Sequence, residues 1–235
     1  MTADPRPASP PPAEVLLGRP EFVGDLAHAA EVVSGRRVLV TGAAGSVGSA
    51  LAEVLVAAEP AGLLLLDHHE HSLFSLERTL GRMRSGLSYE LADIRDAHGL
   101  KRVFDQQRPE IVIHLAAAKH VPYGERFPEG AVAANVVATE TLLDLCAEAG
   151  VATFIYPSSD KSVQPPSVYG ATKRIAEALI QSHSRARRWA IVRYVNIVGT
   201  RGSVIETFTQ QVLADRPLSV TDERMTRYWI SMAEA

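Results

Sequence analysis

Short runs of consecutive apolar residues alternate along this chain with stretches whose apolar residues recur every three or four positions. The runs are Arg37-Val38-Leu39-Val40-Thr41, Leu63 to Leu66, residues 88–91, Ile111 to Leu115, Ala152 to Tyr156 and Trp189 to Tyr194. They lack the in-and-out alternation of a half-exposed strand, so each reads as a strand buried on both faces. Helical spacing covers 47–58, 70–84, 96–107, 129–149, 168–184 and 203–214. This succession predicts an α/β fold: a doubly wound (Rossmann) parallel sheet with helices on both faces. Ahead of it, prolines at positions 5, 7, 10, 11 and 12 mark residues 1–20 as a disordered, proline-rich leader. Phe22, Leu26, Ala29, Ala30 and Val33 give 21–34 the spacing of a short helix.

The turn after the first strand is Gly42-Ala43-Ala44-Gly45-Ser46-Val47-Gly48. Three glycines between a strand and a helix permit a tight turn, a close approach to a pyrophosphate, and close helix–strand packing, and the helix N-terminus attracts phosphate. Asp67 closes the second strand, 19 residues past Gly48. A carboxylate there accepts from both ribose hydroxyls and repels a 2′-phosphate, which favours NAD over NADP. Asp93 closes the third strand and is either an adenine contact or a strand-end cap. Ala116-Ala117-Ala118 follow the fourth strand and leave room for a cofactor lying across the sheet.

A second chemical stretch ends the fifth strand: Pro157-Ser158-Ser159-Asp160-Lys161, then Tyr169-Gly170-Ala171-Thr172-Lys173. Tyr169 and Lys173 are four apart at a helix start and share one face. A tyrosine at its ordinary pKa of about 10 is a poor base at neutral pH; a neighbouring ammonium and a cationic nicotinamide favour the phenolate. Asp160 and Lys161 supply a second acid/base pair. Lys119 and His120 belong either to a solvated loop or to the nicotinamide and sugar end of the site.

Composition narrows the classes. The 235 residues suffice for one full α/β domain, and 46% hydrophobic content supports a core. A net charge of −3 offers no footprint for nucleic acid. The single cysteine, Cys146, lies among leucines of a helical stretch and reads as a reduced core thiol, as in a cytoplasmic protein. No run of the ~20 apolar residues needed to span a bilayer is evident, and no signal peptide is expected. His68, His69 and His71 diverge on a loop and form no evident metal set, so no metal is expected.

At these residues the chain resembles the extended short-chain dehydrogenase/reductase superfamily. More narrowly, it is similar to the nucleotide-sugar 4,6-dehydratases of bacterial polysaccharide and protein-glycan biosynthesis that act on UDP-N-acetylglucosamine. The resemblance rests on Leu16-Leu17-Gly18-Arg19, the glycine turn, Asp67-His68-His69-Glu70 and Asp93-Ile94-Arg95-Asp96. It continues through His114 to Pro122, Ser158-Ser159-Asp160-Lys161, Gly170 to Arg174, Arg201-Gly202-Ser203-Val204 and Met225-Thr226-Arg227-Tyr228. It implies a bound NAD held by Gly42, Gly45, Ser46, Val47, Gly48, Asp67, His68, Asp93, Ile94, Ala116, Ala117, Ala118, Lys119, Asn135, Tyr169 and Lys173. It implies Lys119, His120, Asn196, Arg201 and Arg227 on the UDP-sugar. Tyr169 would act at the C4 hydroxyl, Ser159 would hydrogen-bond the C4 oxygen, Lys161 would be the C5 base and Asp160 the C6 acid. Lys173 would hold the nicotinamide ribose. A homo-oligomer, built on the helices at 129–149 and 168–184, is implied by the same analogy.

Three positions depart from the family pattern. Tyr194-Val195 stands where Phe-Gly is usual before Asn196, and Ala138 stands where glycine is usual. Family members also continue past Tyr228 with a segment that builds much of the sugar lid. Residues 21–235 are therefore expected to form an NAD-binding domain with an incomplete substrate-binding part. The alternatives are a nucleotide-sugar 4-epimerase, which uses the Tyr–Lys pair without a C5 base, and a non-catalytic NAD-binding regulatory protein.

Overall fold

The computed structural model describes residues 11–22, 24–81, 86–183 and 188–235. Two compact units result, residues 25–193 and a smaller one formed by 1–24 with 194–235.

The larger unit is built on a six-stranded sheet in the order β3-β2-β1-β4-β5-β6. The strands are β1 (Arg37–Thr41), β2 (Gly62–Asp67), β3 (Leu87–Leu91), β4 (Ile111–His114), β5 (Thr153–Ser159) and β6 (Arg188–Tyr194). β1 pairs in parallel with β2 and β4, β2 with β3, and β4 with β5. Successive side chains of a strand face opposite sides, and the core divides accordingly. Leu39, Leu64, Leu66 and Val112 enter one apolar cluster with Leu100, Phe104, Leu142, Phe154 and Ile180. Val38, Val40, Leu63, Leu65, Ile111 and Ile113 enter the other, with Leu55, Leu73 and Leu76. The first is covered by α5 (Ala97–Gln107), α8 (Ala138–Glu148) and α9 (Val168–His183); the second by α3 (Ser46–Ala57) and α4 (Glu70–Leu80). β3 and β6 are the edge strands and are less buried than their sequence suggests, with Leu91 and Val192 exposed.

Local chemistry sets the element ends. The helix expected over 21–34 is confined to α2 (Leu26–Val33), because the Asp25 carboxylate accepts from the Ala27 and His28 amides and caps it there. Asp96 caps α5 in the same way, and Arg108 in the left-handed region closes it ahead of Pro109. The helix expected to reach residue 84 ends at Leu80; residues 82–85 lie outside the described ones. The helix expected over 129–149 is three pieces: α7 (Pro128–Val132), a π turn at Ala133–Val137, and α8. Across Pro128–Glu148 it is long and apolar enough to cross a membrane, which the expectation of no such run overlooked. Its Leu142, Leu143 and Cys146 side chains are fully buried in the core, and Asn135 and Thr139 are held in internal hydrogen bonds, so it serves as a core helix. A further short helix, α6 (Val121–Arg126), follows His120 in a stretch to which the sequence pattern assigned no element.

In the smaller unit, the leader expected to be disordered over 1–20 contains helix α1 (Ala13–Leu17), while residues 1–10 lie outside the described ones. Arg19 pairs with Glu234, whose carboxylate also accepts from the Phe22 and Ser231 amides. β7 (Asn196–Ile197) pairs in parallel with β8 (Trp229–Ile230), and α10 (Val204–Leu213) is capped by Ser203.

Candidate active site

The glycine turn is shaped by what it leaves out. Gly42 has φ +69°, and a Cβ there would lie 2.5 Å from the Ala116 nitrogen. A Cβ on Gly48 would lie 2.3 Å from the Gly42 oxygen, so α3 packs directly on the turn. A Cβ on Gly45 would meet only one oxygen, at 3.1 Å. α3 begins at Ser46 with no side-chain cap on its first turn. An uncapped, 12-residue helix behind a glycine turn fits a phosphate. The Asp67 carboxylate, at the end of β2, accepts from the Ala44 amide at 3.0 Å and the His69 amide at 2.9 Å. A carboxylate has capacity for about four acceptor bonds, so room remains for ribose hydroxyls. His68 is exposed, 3.6 Å from Asp67. His69 caps α4, its ring accepting from the Ser72 amide.

Asp93 makes a local turn at the end of β3. Its carboxylate accepts from the Arg95 side chain and amide, and that guanidinium holds it down to about 2. Ile94 beside it is buried.

The Ala116–Ala118 loop is tied to two other elements. Ala118 donates its amide to Asn135 Oδ1 at 2.8 Å, and Asn135 Nδ2 donates to the Ala118 carbonyl and to Thr172 Oγ1, each at 3.0 Å. Asn135, on the π turn, thus couples this loop to α9 between Tyr169 and Lys173. Lys119 and His120 are exposed beyond it, His120 packing edge-on to Tyr123.

β5 ends in Ser159, and Asp160–Ser162 form a single 3-10 turn. Ser159 Oγ donates to Asp160 Oδ1 at 3.0 Å, and Lys161 Nζ lies 3.0 Å from the same oxygen. The Tyr169 hydroxyl is hydrogen-bonded to Ser159. Tyr169, Ser159, Asp160 and Lys161 therefore form one connected chain of polar groups. Asp160 and Lys161 are partly open to solvent.

Lys173 lies on the same face of α9 as Tyr169. Its side chain is buried, its ammonium donates to the Pro157 carbonyl at 2.7 Å and sits 4.1 Å over the Tyr156 ring. Burial pushes it down to about 7. Burial also raises the Tyr169 phenol, and the Asp160 charge adds to it.

Sequence reasoning missed a second layer. His114 is fully buried, with Nδ1 2.7 Å from Thr41 Oγ1 and Nε2 3.0 Å from Thr139 Oγ1. Thr139 gives its one proton to the Asn135 carbonyl, which assigns the His114 proton to Nε2. Burial, with the Lys173 cation second, pushes His114 down to about 3, so it is neutral. A histidine closing an apolar strand was the available signal, since a buried polar group needs partners. Glu177 was also missed, although it continues the Tyr169 and Lys173 face by four residues.

Asn196, Arg201 and Arg227 belong to the smaller unit. Asn196 donates its side-chain amide to the Tyr228 carbonyl at 3.0 Å and steadies β7 on β8; Arg227 bonds the Thr226 carbonyl.

Residues 38–235 match the model of a family described as polysaccharide biosynthesis protein. The chain is 39% identical, over 95% of its length, to the probable polysaccharide biosynthesis protein EpsC of Bacillus subtilis, and spans 38% of that protein. It is 32% identical, over 86% of its length, to a UDP-N-acetylglucosamine 4,6-dehydratase (inverting) of Campylobacter jejuni, spanning 61% of it. Among solved structures it is similar to the UDP-glucose 4-epimerase of Thermus thermophilus in complex with NAD: TM-score 0.70, 26% identity, covering 84% of this chain and 71% of that one. A doubly wound sheet with a glycine turn at β1 and a Tyr–Lys pair on α9, matched over nearly its whole length by that family model, belongs to the polysaccharide biosynthesis protein family, on a short-chain dehydrogenase/reductase fold.

Proposed function

We propose that the chain carries the catalytic part of a nucleotide-sugar 4,6-dehydratase, acting with bound NAD on UDP-N-acetylglucosamine or a close relative. The supporting observation is the polar chain Tyr169–Ser159–Asp160–Lys161, tied by Asn135 to the loop on which the glycine turn packs. The NAD would lie on the glycine turn, with its phosphates at the start of α3 and its ribose hydroxyls at Asp67. When bound, NAD supplies a hydride acceptor for C4 and returns the hydride at C6, so none is consumed.

The side chains would do the following. Tyr169, as phenolate, takes the C4 hydroxyl proton, while Ser159 hydrogen-bonds the C4 oxygen. Oxidation at C4 makes the C5 proton acidic. Lys161, as amine, takes that proton, Asp160, as acid, protonates the departing C6 hydroxyl, which leaves as water, and Lys161 gives its proton back to C5 when the hydride is returned at C6. One proton passing from Lys161 to Asp160 across their 3.0 Å contact converts the ion pair into that amine and acid. Each positioned acid or base typically contributes about 10²–10⁴-fold. Asn196, Arg201 and Arg227 would bind the UDP moiety, and Lys119 and His120 the sugar end. A homodimer and a cytoplasmic setting, the latter consistent with a buried free thiol at Cys146, belong to the same proposal.

Incubation with NAD and UDP-N-acetylglucosamine tests this. Mass spectrometry should find a product lighter by one water. A sugar nucleotide of unchanged mass but inverted at C4 would instead identify a 4-epimerase, the reading that the likeness to a UDP-glucose 4-epimerase favours.

A further inference from the structure

Glu177 is a buried carboxylate to which the steps above assign no role, and it gathers the elements that carry the reacting groups. It lies on α9 eight residues beyond Tyr169 and four beyond Lys173, so all three share one helix face. Its Oε1 accepts from Ser158 Oγ at 2.6 Å and from Arg193 Nε at 2.9 Å, and Ser162 Oγ lies 2.7 Å away. Arg193 Nη2 reaches Oε2 at 2.6 Å, and Arg174 Nη1 stands 3.5 Å from it. Ser158 and Ser162 bracket Ser159, Asp160 and Lys161 without a residue to spare. One carboxylate therefore pins both ends of the catalytic turn to the helix bearing Tyr169, with β6 as the third anchor.

We infer that Glu177 is a positioning residue: it fixes the turn Ser158–Ser162 against α9 so that Lys161 and Asp160 face C5 and C6 while Tyr169 deprotonates the C4 hydroxyl. Stability alone is a poor reason for such a pair, because a buried ion pair is commonly matched by apolar side chains of equal volume. A carboxylate does what those cannot: it gathers the Ser158 hydroxyl, a guanidinium and the Ser162 hydroxyl, whose one proton it shares with the Ser159 carbonyl 2.7 Å away. The Arg193 fork, with the two serine hydroxyls, holds Glu177 down to about 2, so it stays anionic whenever the turn is formed.

This inference rests on the dehydratase reading. Two variants of the NAD-loaded chain test it: Glu177→Gln, and the pair Ser158→Ala with Ser162→Ala. The serine pair leaves Glu177–Arg193 intact, and Glu177→Gln leaves an Arg193 side chain that is 42% exposed and so remains hydrated. Both should keep wild-type NAD affinity and KM. Dehydration kcat should fall about tenfold or more, and reduced nicotinamide should accumulate as sugar is oxidised at C4 but not eliminated. Amide hydrogen exchange across 159–163 should rise about tenfold, the effect of losing roughly one hydrogen bond's net stabilisation. A purely structural role would lower the melting temperature without accumulating reduced cofactor. Exchange across 159–163 at the wild-type rate in both variants overturns the inference, as does undiminished dehydration. Absence of product from the wild-type chain would sink the dehydratase reading, and the exchange measurement would then decide on Glu177 alone.

Discussion

The turn after β1 and the turn after β5 lie at the same end of one parallel sheet and differ in what is added to close backbone packing. At Gly42–Gly48, backbone meets backbone because side-chain atoms are missing: added Cβ atoms at Gly42 and Gly48 would fall within 2.5 Å of main-chain atoms. At Ser158–Ser162 a Cβ on Gly170 would likewise lie 2.2 Å from the Lys161 carbonyl oxygen, but here polar side chains also gather around a buried carboxylate. The first turn is rigid by exclusion and suits a ligand that arrives with its own charges. The second is held by hydrogen bonds that also set protonation states, which suits proton transfer.

The comparison breaks most visibly at Lys161. Lys161→Ala should cut elimination by about 10²–10⁴-fold while C4 oxidation persists, seen as reduced nicotinamide without loss of water; undiminished dehydration removes its role. At the other turn, Gly48→Ala should destabilise the fold by about 3 kcal/mol, since its Cβ would clash with the Gly42 carbonyl and overpacking of this kind is costly. Chemical denaturation measures it, and Gly45→Ala, with one contact at 3.1 Å, should cost far less stability than it costs NAD affinity. Thr139→Val should lose about 1–3 kcal/mol by stranding the His114 Nε2–H; an unchanged melting curve would refute the tautomer assigned here.

Lys173 sharpens the contrast through pH. Its folded value of about 7 lies below its ordinary 10.5, so between those values the unfolded chain binds a proton that the folded chain does not. Stability attributable to this group therefore rises with pH across that window, by at most about 1.4 kcal/mol per pH unit. Denaturant midpoints of Lys173→Met should lose that slope. The smallest effect is expected at Arg95→Ala. Its ion pair with Asp93 is largely solvated, so stability should move by no more than about 0.5 kcal/mol. If Asp93 reads adenine, NAD titration should show affinity gained as the carboxylate is released.

The glycine turn was readable because its message is local: three glycines after an apolar strand permit only a few backbone paths. Tyr169 and Lys173 were readable for a like reason, four residues being one helical turn. Asp93 was read by position, and its partner Arg95, two residues on, was not foreseen. His114, Thr139 and Glu177 escaped notice because their partners are distant in sequence: Thr41 lies 73 residues from His114, and Ser158 lies 19 from Glu177.

From residue order alone came the strand and helix succession, the doubly wound sheet and the places where phosphate and proton chemistry belong, since each depends on spacing within one element or one turn. Only the packed chain decided which polar groups face one another. It put the Lys173 ammonium on Pro157 and Tyr156, raised the Tyr169 phenol, and set Glu177 beneath the catalytic turn. Those outcomes depend on burial and on partners brought together by the fold, and neither is a property of neighbouring letters.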